Sequence, residues 1–394
     1  MTAFKTKTPF VAIACGGTGG HLFPGIAVTG ELKKRGCEIA LLISPKDVDQ
    51  QAVKSARGFE IFTLPAVGLQ NRNYFSFGLS FWKSFRASRK IFKQRKPDAV
   101  LAMGGFTSAP PVLAARKFGA KIFLHESNTI PGRANRFLAR FVDEAFVGFP
   151  ETESRLRAKK IVQTGTPVRP QFSASRISHL ASRIELGLDP NLPTILVVGG
   201  SQGASGLNEM ILSALPLLGP KKWQWLHLAG TNDFEKVKAA YAAQKLKAVV
   251  KPFFAEMDLA LGAATVVISR AGASSLAEIA AMRLPSLLVP FPAAADNHQF
   301  FNALAFEKTS AAKLLEQKNS MPEKFAAILI DLVENEIARE KIQAALAQWH
   351  APKAAEQIAE NILSAIAQQQ EKTAQSKMEK CGCGHAHGSA KHAH

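Results

Sequence analysis

The chain has 394 residues, 47% apolar and 20% charged, about two to three times a usual domain length and apolar enough to exclude a largely disordered protein. Lys and Arg number 49 against 31 Asp and Glu, a net charge of +18 that favours an anionic partner: nucleic acid, a phosphorylated substrate or an anionic membrane surface. The cysteines, Cys15, Cys37, Cys381 and Cys383, make no disulfide framework and fit a reducing, cytoplasmic setting.

The apolar run Phe10 to Cys15 is too short for the core of a signal peptide and opens straight into a glycine loop, which predicts a first strand. Short apolar runs bounded by Gly or Pro then recur, each followed by a longer helical pattern: Val11 to Cys15, Ile39 to Ile43, Ala99 to Met103, Lys121 to Leu124 and Glu144 to Val147. A second series follows at Thr194 to Val198, Trp225 to Leu228, Ala248 to Lys251, Val266 to Ser269 and Ser286 to Val289. This alternation predicts two doubly wound, Rossmann-like α/β domains with parallel sheets.

The segment TGTPVRP and a polar helical stretch from Ser175 to Leu186 read as a connection, which divides the chain into domains 1–170 and 171–350. Apolar residues Ala354, Ile358, Ile362 and Ile366 recur every four positions and predict a C-terminal helix over 351–368. Residues 369–394 turn polar and end in CGCGHAHGSAKHAH, which reads as a disordered tail. Its Cys381, Cys383, His385 and His387 have incidental affinity for a soft metal but lack the spacing of a structural zinc site. No run reaches the length of a spanning helix; Val100 to Ala115 comes nearest and is broken by Gly104, Gly105, Pro110 and Pro111.

Four glycine-bearing strand-to-helix loops are candidates for phosphate binding: Gly16 to Gly20, Gly104-Gly105, Gly199 to Gly206 and Arg270 to Ser275. In such loops backbone N–H groups and the positive end of a helix dipole can meet an anion. Any one of them alone is better read as a tight turn, and the four together shift the balance towards a phosphate ligand. The dinucleotide fingerprint fails at Leu22 in the first loop and at Gln202 in the third, and no G-x-x-x-x-G-K-[ST] run exists, so NAD and P-loop chemistry are disfavoured. His21 follows the first loop and could take a proton from a hydroxyl; His125 and His298 compete for that role. Glu278 reads equally well as a ribose acceptor or as a solvated helix charge.

The segments GGTGGHLFPGIAV, MGGFTSAPPVLAA, LHESNTIPGRANR, TGTPVR, GGSQGASGLN, SRAGASSLAEIAA and PFPAAADNHQFFNA, taken in order over about residues 9–365, closely resemble the MurG family. The resemblance implies a GT-B glycosyltransferase that moves N-acetylglucosamine from UDP-N-acetylglucosamine to lipid I, undecaprenyl-pyrophosphoryl-N-acetylmuramoyl-pentapeptide, forming lipid II for the cell wall. It further implies peripheral attachment to the cytoplasmic face of the inner membrane, with other cell-wall and division proteins as partners. The acceptor would sit on the first domain and the donor mainly on the second, with the last helix crossing back to the first.

Residue by residue, the resemblance puts Thr18, Gly19 and Gly20 at the diphosphates, Asn128 near the sugar, and Arg169 and Ser201 on the donor diphosphate. The Phe254 backbone would read the uracil edge. Ala273, Ser274, Ser275, Leu276, Ala277 and Glu278 would wrap the nucleotide, and Gln299 and Asn302 would hold the sugar hydroxyls. His21 would be the general base, and no metal or cofactor is implied. Ser127 stands where the family commonly has Gln.

Residues 71–97 carry many cations and no acid, with Phe75, Phe77, Leu79, Phe81, Trp82 and Phe85 among them. Given a polyprenyl-linked substrate, they read as a surface that docks on anionic lipid. Other classes fit less well: a UDP-N-acetylglucosamine 2-epimerase has no use for that flank, a diacylglycerol glycosyltransferase changes the acceptor, and a sugar-nucleotide sensor shows no turnover. A nucleic-acid binder is weaker still, since no binding motif is present.

Overall fold

The computed structural model describes residues 8–53, 58–66, 68, 74–172, 178–200, 203–219 and 221–382. The first domain is built on strands β1 (Phe10–Ala14), β2 (Glu38–Ile43), β3 (Glu60–Thr63), β4 (Ala99–Ala102), β5 (Lys121–Glu126), β6 (Glu144–Val147) and β7 (Ile161–Gln163). They form one parallel sheet in the order β3-β2-β1-β4-β5-β6-β7. Its helices are α1 (Gly19–Lys34), α2 (Asp47–Val53), α3 (Tyr74–Gln94), α4 (Ala109–Arg116) and α5 (Arg133–Leu138).

The second domain holds β8 (Thr194–Val198), β9 (Gln224–Leu228), β10 (Ala248–Lys251), β11 (Val266–Ser269), β12 (Ser286–Leu288) and β13 (Lys313–Leu314), all parallel, in the order β10-β9-β8-β11-β12-β13. Around it stand α6 (His179–Glu185), α7 (Ser205–Leu218), α8 (Phe234–Ala243), α9 (Met257–Ala263), α10 (Ala273–Ala281), α11 (His298–Lys308), α12 (Pro322–Glu334) and α13 (Glu336–Leu346). Both halves are doubly wound α/β domains. Every residue of β1, β4, β6 and β11 is buried, as helices on both faces of a parallel sheet require, and this is why those strands read as unbroken apolar runs. β3, β7 and β13 gave no such run: they are short edge strands with mostly exposed or half-exposed side chains.

A last helix, α14 (Ala354–Gly382), brings Ile358, Ala359, Ile362 and Ile366 into the first domain's core beside Val11, Ile13, Leu22 and Val28. Arg35 of α1 reaches Glu356 at 3.2 Å and Glu360 at 3.4 Å on its exposed side. The helix continues past Gln368 to Gly382, which corrects the expectation of disorder from 369. Ala, Gln, Glu and Lys dominate that stretch and favour helix without packing, and Gln369 Nε2 donates to the Gly119 carbonyl at 2.8 Å. Cys383, His385 and His387 lie outside the described residues, as do 173–177 in the connection. Among the described residues no helix is long and apolar enough to cross a membrane.

In each sheet the strand order reverses beside the first strand, between β1 and β4 and between β8 and β11. Such switch points open a crevice at the carboxyl ends of the strands. The four glycine loops follow these four strands, so chain topology brings them into two facing pairs. The two chain crossings between domains touch: a Cβ on Gly165, whose φ is +78°, would stand 2.3 Å from the Ala351 Cβ.

Candidate active site

A cleft of roughly 2630 Å³ opens between the domains, lined by Thr18, Gly19, Gly20 and His21 on one side and by Gly200, Phe254, Ser274, Glu278, His298 and Gln299 on the other. α1, α7 and α10 all begin at these loops, and among the described residues no side chain caps them. Their first-turn N–H groups and dipoles point positive ends at the cleft. The Gly17 turn is fixed from beneath. Its N–H donates to Asp49 Oδ2 at 2.6 Å, Asp49 also takes the Ser44 N–H at 3.1 Å, and Lys46 Nζ donates to the Gly17 carbonyl at 3.0 Å. The two domains meet here, where Ser274 Oγ donates to the Gly20 carbonyl at 2.8 Å. Ser201 of the third loop lies outside the described residues.

The imidazole of His21 lies against Gly104 and Gly105. A Cβ on Gly104 would stand 2.9 Å from His21 Cε1, and one on Gly105 would stand 3.1 Å from His21 Cδ2. The second glycine loop therefore forms a wall for the histidine, and its Gly105 also lines the cleft. Burial lowers the His21 pKa, while the Glu126 carboxylate, the Met103 backbone and Asp49 pull it partly back. The ring is thus neutral near pH 7, in the form able to accept a proton. Its Nδ1 makes no well-formed hydrogen bond.

His125 is not a competing base. It is fully buried at the end of β5, with Nε2 3.1 Å from the Gly165 carbonyl and Nδ1 3.3 Å from Ser127 Oγ. Ser127, the departure from the family pattern, thus has a partner inside the domain. Glu126, buried beside them, organises the following loop: it accepts from the Asn128 N–H at 2.9 Å, Asn128 Nδ2 at 3.0 Å, the Gly132 N–H at 2.9 Å and Asn135 Nδ2 at 2.8 Å. His298 sits across the cleft at the start of α11, its Nδ1 2.8 Å from the Ala295 carbonyl.

Asn302 is not positioned on a sugar. It is fully buried in the seam between the domains. Its Oδ1 accepts from the Thr129 N–H and Oγ1, both at 2.9 Å, and its Nδ2 donates to Asn128 Oδ1 at 3.0 Å and the Ala271 carbonyl at 3.1 Å. All four hydrogen-bonding positions of the amide are used, so in this structure none is left for a hydroxyl. Gln299 differs: its Oε1 takes the Ala271 and Phe291 N–H groups at 3.3 and 3.0 Å, and its NH2, on the cleft, has no partner among the described residues.

Along α10, Ala273, Ser274, Ser275 and Glu278 line the cleft, whereas Leu276 turns into the core and Ala277 is not on the cleft wall. Successive helical turns present one face to the cleft, so of the wrap expected from Ala273 to Glu278 the first three residues and Glu278 reach it, and Leu276 and Ala277 do not. Burial raises the Glu278 pKa to about 7, against the pull of Arg169. Arg169 Nη2 is 3.5 Å from Glu278 Oε1. The guanidinium lies 4.1 Å from the Phe23 ring centroid and 4.8 Å from that of Phe172, with Nε unpartnered. Phe254 flanks the cleft with Lys251 Nζ 4.7 Å from its ring.

The six residues of the aromatic, cationic segment divide between two faces of α3. Phe75, Leu79 and Trp82 are exposed, with Arg86 4.6 Å over the Trp82 ring. Phe81 and Phe85 pack on the first domain's core, and Phe77 lines the cleft. Of the six residues expected on one surface, only Phe75, Leu79 and Trp82 share the exposed face, since residues four apart share a face and residues two apart do not.

Residues 11–147 match the glycosyltransferase family 28 N-terminal domain, and residues 194–378 match the glycosyltransferase family 28 C-terminal domain. A relative from Citrifermentans bemidjiense, named UDP-N-acetylglucosamine–N-acetylmuramyl-(pentapeptide) pyrophosphoryl-undecaprenol N-acetylglucosamine transferase, is 37% identical over 356 residues, 87% of this chain and 96% of that protein. A relative of the same name from Listeria welshimeri is 34% identical over 90% of this chain and 98% of its own. The chain belongs to the MurG family. The crystal structure of Acinetobacter baumannii MurG superposes with a TM-score of 0.71 at 28% identity, covering 91% of this chain and all of that one. A UDP-N-acetylglucosamine 2-epimerase reaches 0.67 at 13% identity, a likeness of fold alone.

Within this MurG-family cleft, sequence reasoning missed Glu126, Asp49 and Asp296. Asp296 bridges the cleft mouth to α5, with Oδ1 3.2 Å from Arg133 Nη2 and Oδ2 2.5 Å from Arg136 Nη2. It and Asn297 sit at φ of +50° and +55°, a left-handed pair that costs free energy and aims α11 at the cleft. Consecutive Asp-Asn before an apolar helix was the available signal.

Proposed function

We propose that this chain transfers N-acetylglucosamine from UDP-N-acetylglucosamine to the C4 hydroxyl of the N-acetylmuramoyl sugar of lipid I, forming lipid II. The observation that carries the reading is family membership over nearly the whole chain, joined to a cleft whose two walls are glycine loops with uncapped helix N-termini.

In the reaction the acceptor oxygen attacks C1 of the donor sugar from the face opposite UDP. The C1–O bond to the acceptor forms as the C1–O bond to the diphosphate breaks, so the configuration inverts. His21, held neutral by burial, takes the hydroxyl proton. Negative charge grows on the departing UDP and would be met by Arg169, whose Nε has no partner, and by the N-termini of α7 and α10. The ribose hydroxyls suit Glu278, the uncommitted NH2 of Gln299 suits a sugar hydroxyl, and Thr18 to Gly20 suit the acceptor diphosphate. The Phe254 backbone, on the cleft wall, suits the uracil edge.

The acceptor is membrane-bound, and the exposed Phe75, Leu79 and Trp82 beside Lys83, Arg86 and Lys90 support peripheral docking on anionic lipid at the cytoplasmic face. Transfer of labelled sugar to a lipid I analogue, but not to diacylglycerol, tests the reaction.

A further inference from the structure

The cleft does not end at the first glycine loop. Past Thr18 to Gly20 it continues along the ring of Phe106 and then between α3 and α4, where Phe77 and Phe81 on one helix and Ala109 and Leu113 on the other line it, with Phe137 of α5 beyond. Phe77 and Phe81 are one turn apart with ring centroids 6.5 Å from each other. Phe81 packs against the buried core cluster that contains Ala109, so the two walls rest on one floor. Phe137 is 46% exposed, leaving that end open. At the near end Lys46 Nζ lies 5.3 Å from the Phe106 ring while donating to Gly17.

We infer that this groove holds the first isoprene units of the acceptor's polyprenyl chain, an inference that rests on the reaction proposed above. A lipid-linked sugar diphosphate has its chain joined directly to the diphosphate. An apolar groove must therefore begin where the diphosphate is held, and here it begins at the uncapped start of α1 beside the Lys46 ammonium. The groove's far end is open at the half-exposed Phe137, which lets the rest of the chain leave it towards the bilayer. The five groove side chains are all apolar, so a peptide, sugar or nucleotide lying there would leave its polar groups unpaired, whereas a hydrocarbon chain would not. The groove thus lets the enzyme read the lipid as well as the sugar, and it draws the chain partly out of the membrane before transfer.

The test uses the full-length protein without vesicles and two lipid I analogues below their micelle concentrations, one with a farnesyl-length chain and one with an alkyl group too short to reach Phe77. The wild-type protein should prefer the longer chain in kcat/KM. Leu113→Ser and Phe77→Ser should each cut that preference about tenfold, equivalent to about 1.4 kcal/mol, through the KM of the longer acceptor. Leu113→Trp, which fills the groove without adding a polar group, should do the same and serves if a polar substitution prevents folding. A preference that survives Leu113→Trp, or a wild-type enzyme that uses both acceptors equally well, overturns the inference while leaving the reaction standing. Turnover of neither acceptor overturns the reaction itself, and the inference with it.

Discussion

Arg169 Nη2 and Glu278 Oε1 stand 3.5 Å apart across the cleft wall, with the guanidinium stacked beside Phe23 and Phe172. Both groups are mostly buried, and neither is saturated. The carboxyl's pKa rises from 4.5 to about 7 because desolvation outweighs this single long ion pair. Between those two values the folded protein keeps a proton that the unfolded chain has released. Stability from this group is therefore greatest below pH 4.5 and falls as pH rises towards 7. Glu278→Gln should remove that slope, read as the denaturant midpoint against pH.

The same titration bears on the donor. Ribose hydroxyls donate to a carboxylate, so binding favours the ionised form. The affinity for UDP-N-acetylglucosamine should weaken as pH falls below about 7 and become insensitive to pH in Glu278→Gln. Calorimetry in buffers of different ionisation enthalpy should detect proton release on binding; its absence would remove Glu278 from the ribose.

His21→Ala should lower kcat by roughly 10² to 10⁴. Because burial holds the His21 pKa below 6.5, the acid limb of kcat with donor saturating should fall below that value and vanish in the variant. Gly104→Ala tests the wall: the new Cβ would press on the ring, so kcat should fall at least tenfold while donor affinity stays the same. A loss under tenfold in His21→Ala would pass the role of base to His298.

Asn302→Ala strips partners from Thr129, Asn128 and the Ala271 carbonyl at once. Each buried group left unpaired costs about 1–3 kcal/mol. A lower denaturation midpoint is expected together with a rise in the KM of both substrates, since the seam fixes one wall against the other. An effect confined to sugar selectivity would instead place Asn302 on the donor.

Replacing Phe75, Leu79 and Trp82 together by Ser should abolish sedimentation with anionic vesicles while turnover of a soluble acceptor persists. Phe85→Ser, by contrast, should act on stability, because that ring packs on the core. Undiminished vesicle binding in the triple variant would rule the outer face of α3 out as the docking surface.

The sheets were legible where a strand is an unbroken apolar run: β6, β8 and β11, and the half-buried edge strand β10, begin and end where their apolar runs do. Edge strands such as β3, with exposed Glu60 and Ile61, carry no such run and were missed. Glycine loops could be seen as four separate turns, but only strand order shows that they converge in pairs. Amides were the hardest to read. Gln299 and Asn302 lie three residues apart on one helix, yet one faces the cleft and the other is consumed in the seam, and nothing local to either residue distinguishes them. The helical period of residues 75–85 already separated an outer from an inner face, but composition alone merged them.

The most direct measurement is transfer of labelled N-acetylglucosamine from UDP by the purified protein, with a lipid I analogue, a diacylglycerol control and an acceptor-free control run side by side. A β-linked disaccharide lipid formed only with the lipid I analogue is the expected result. Label on diacylglycerol, or release of an epimerised free sugar without acceptor, would contradict the account.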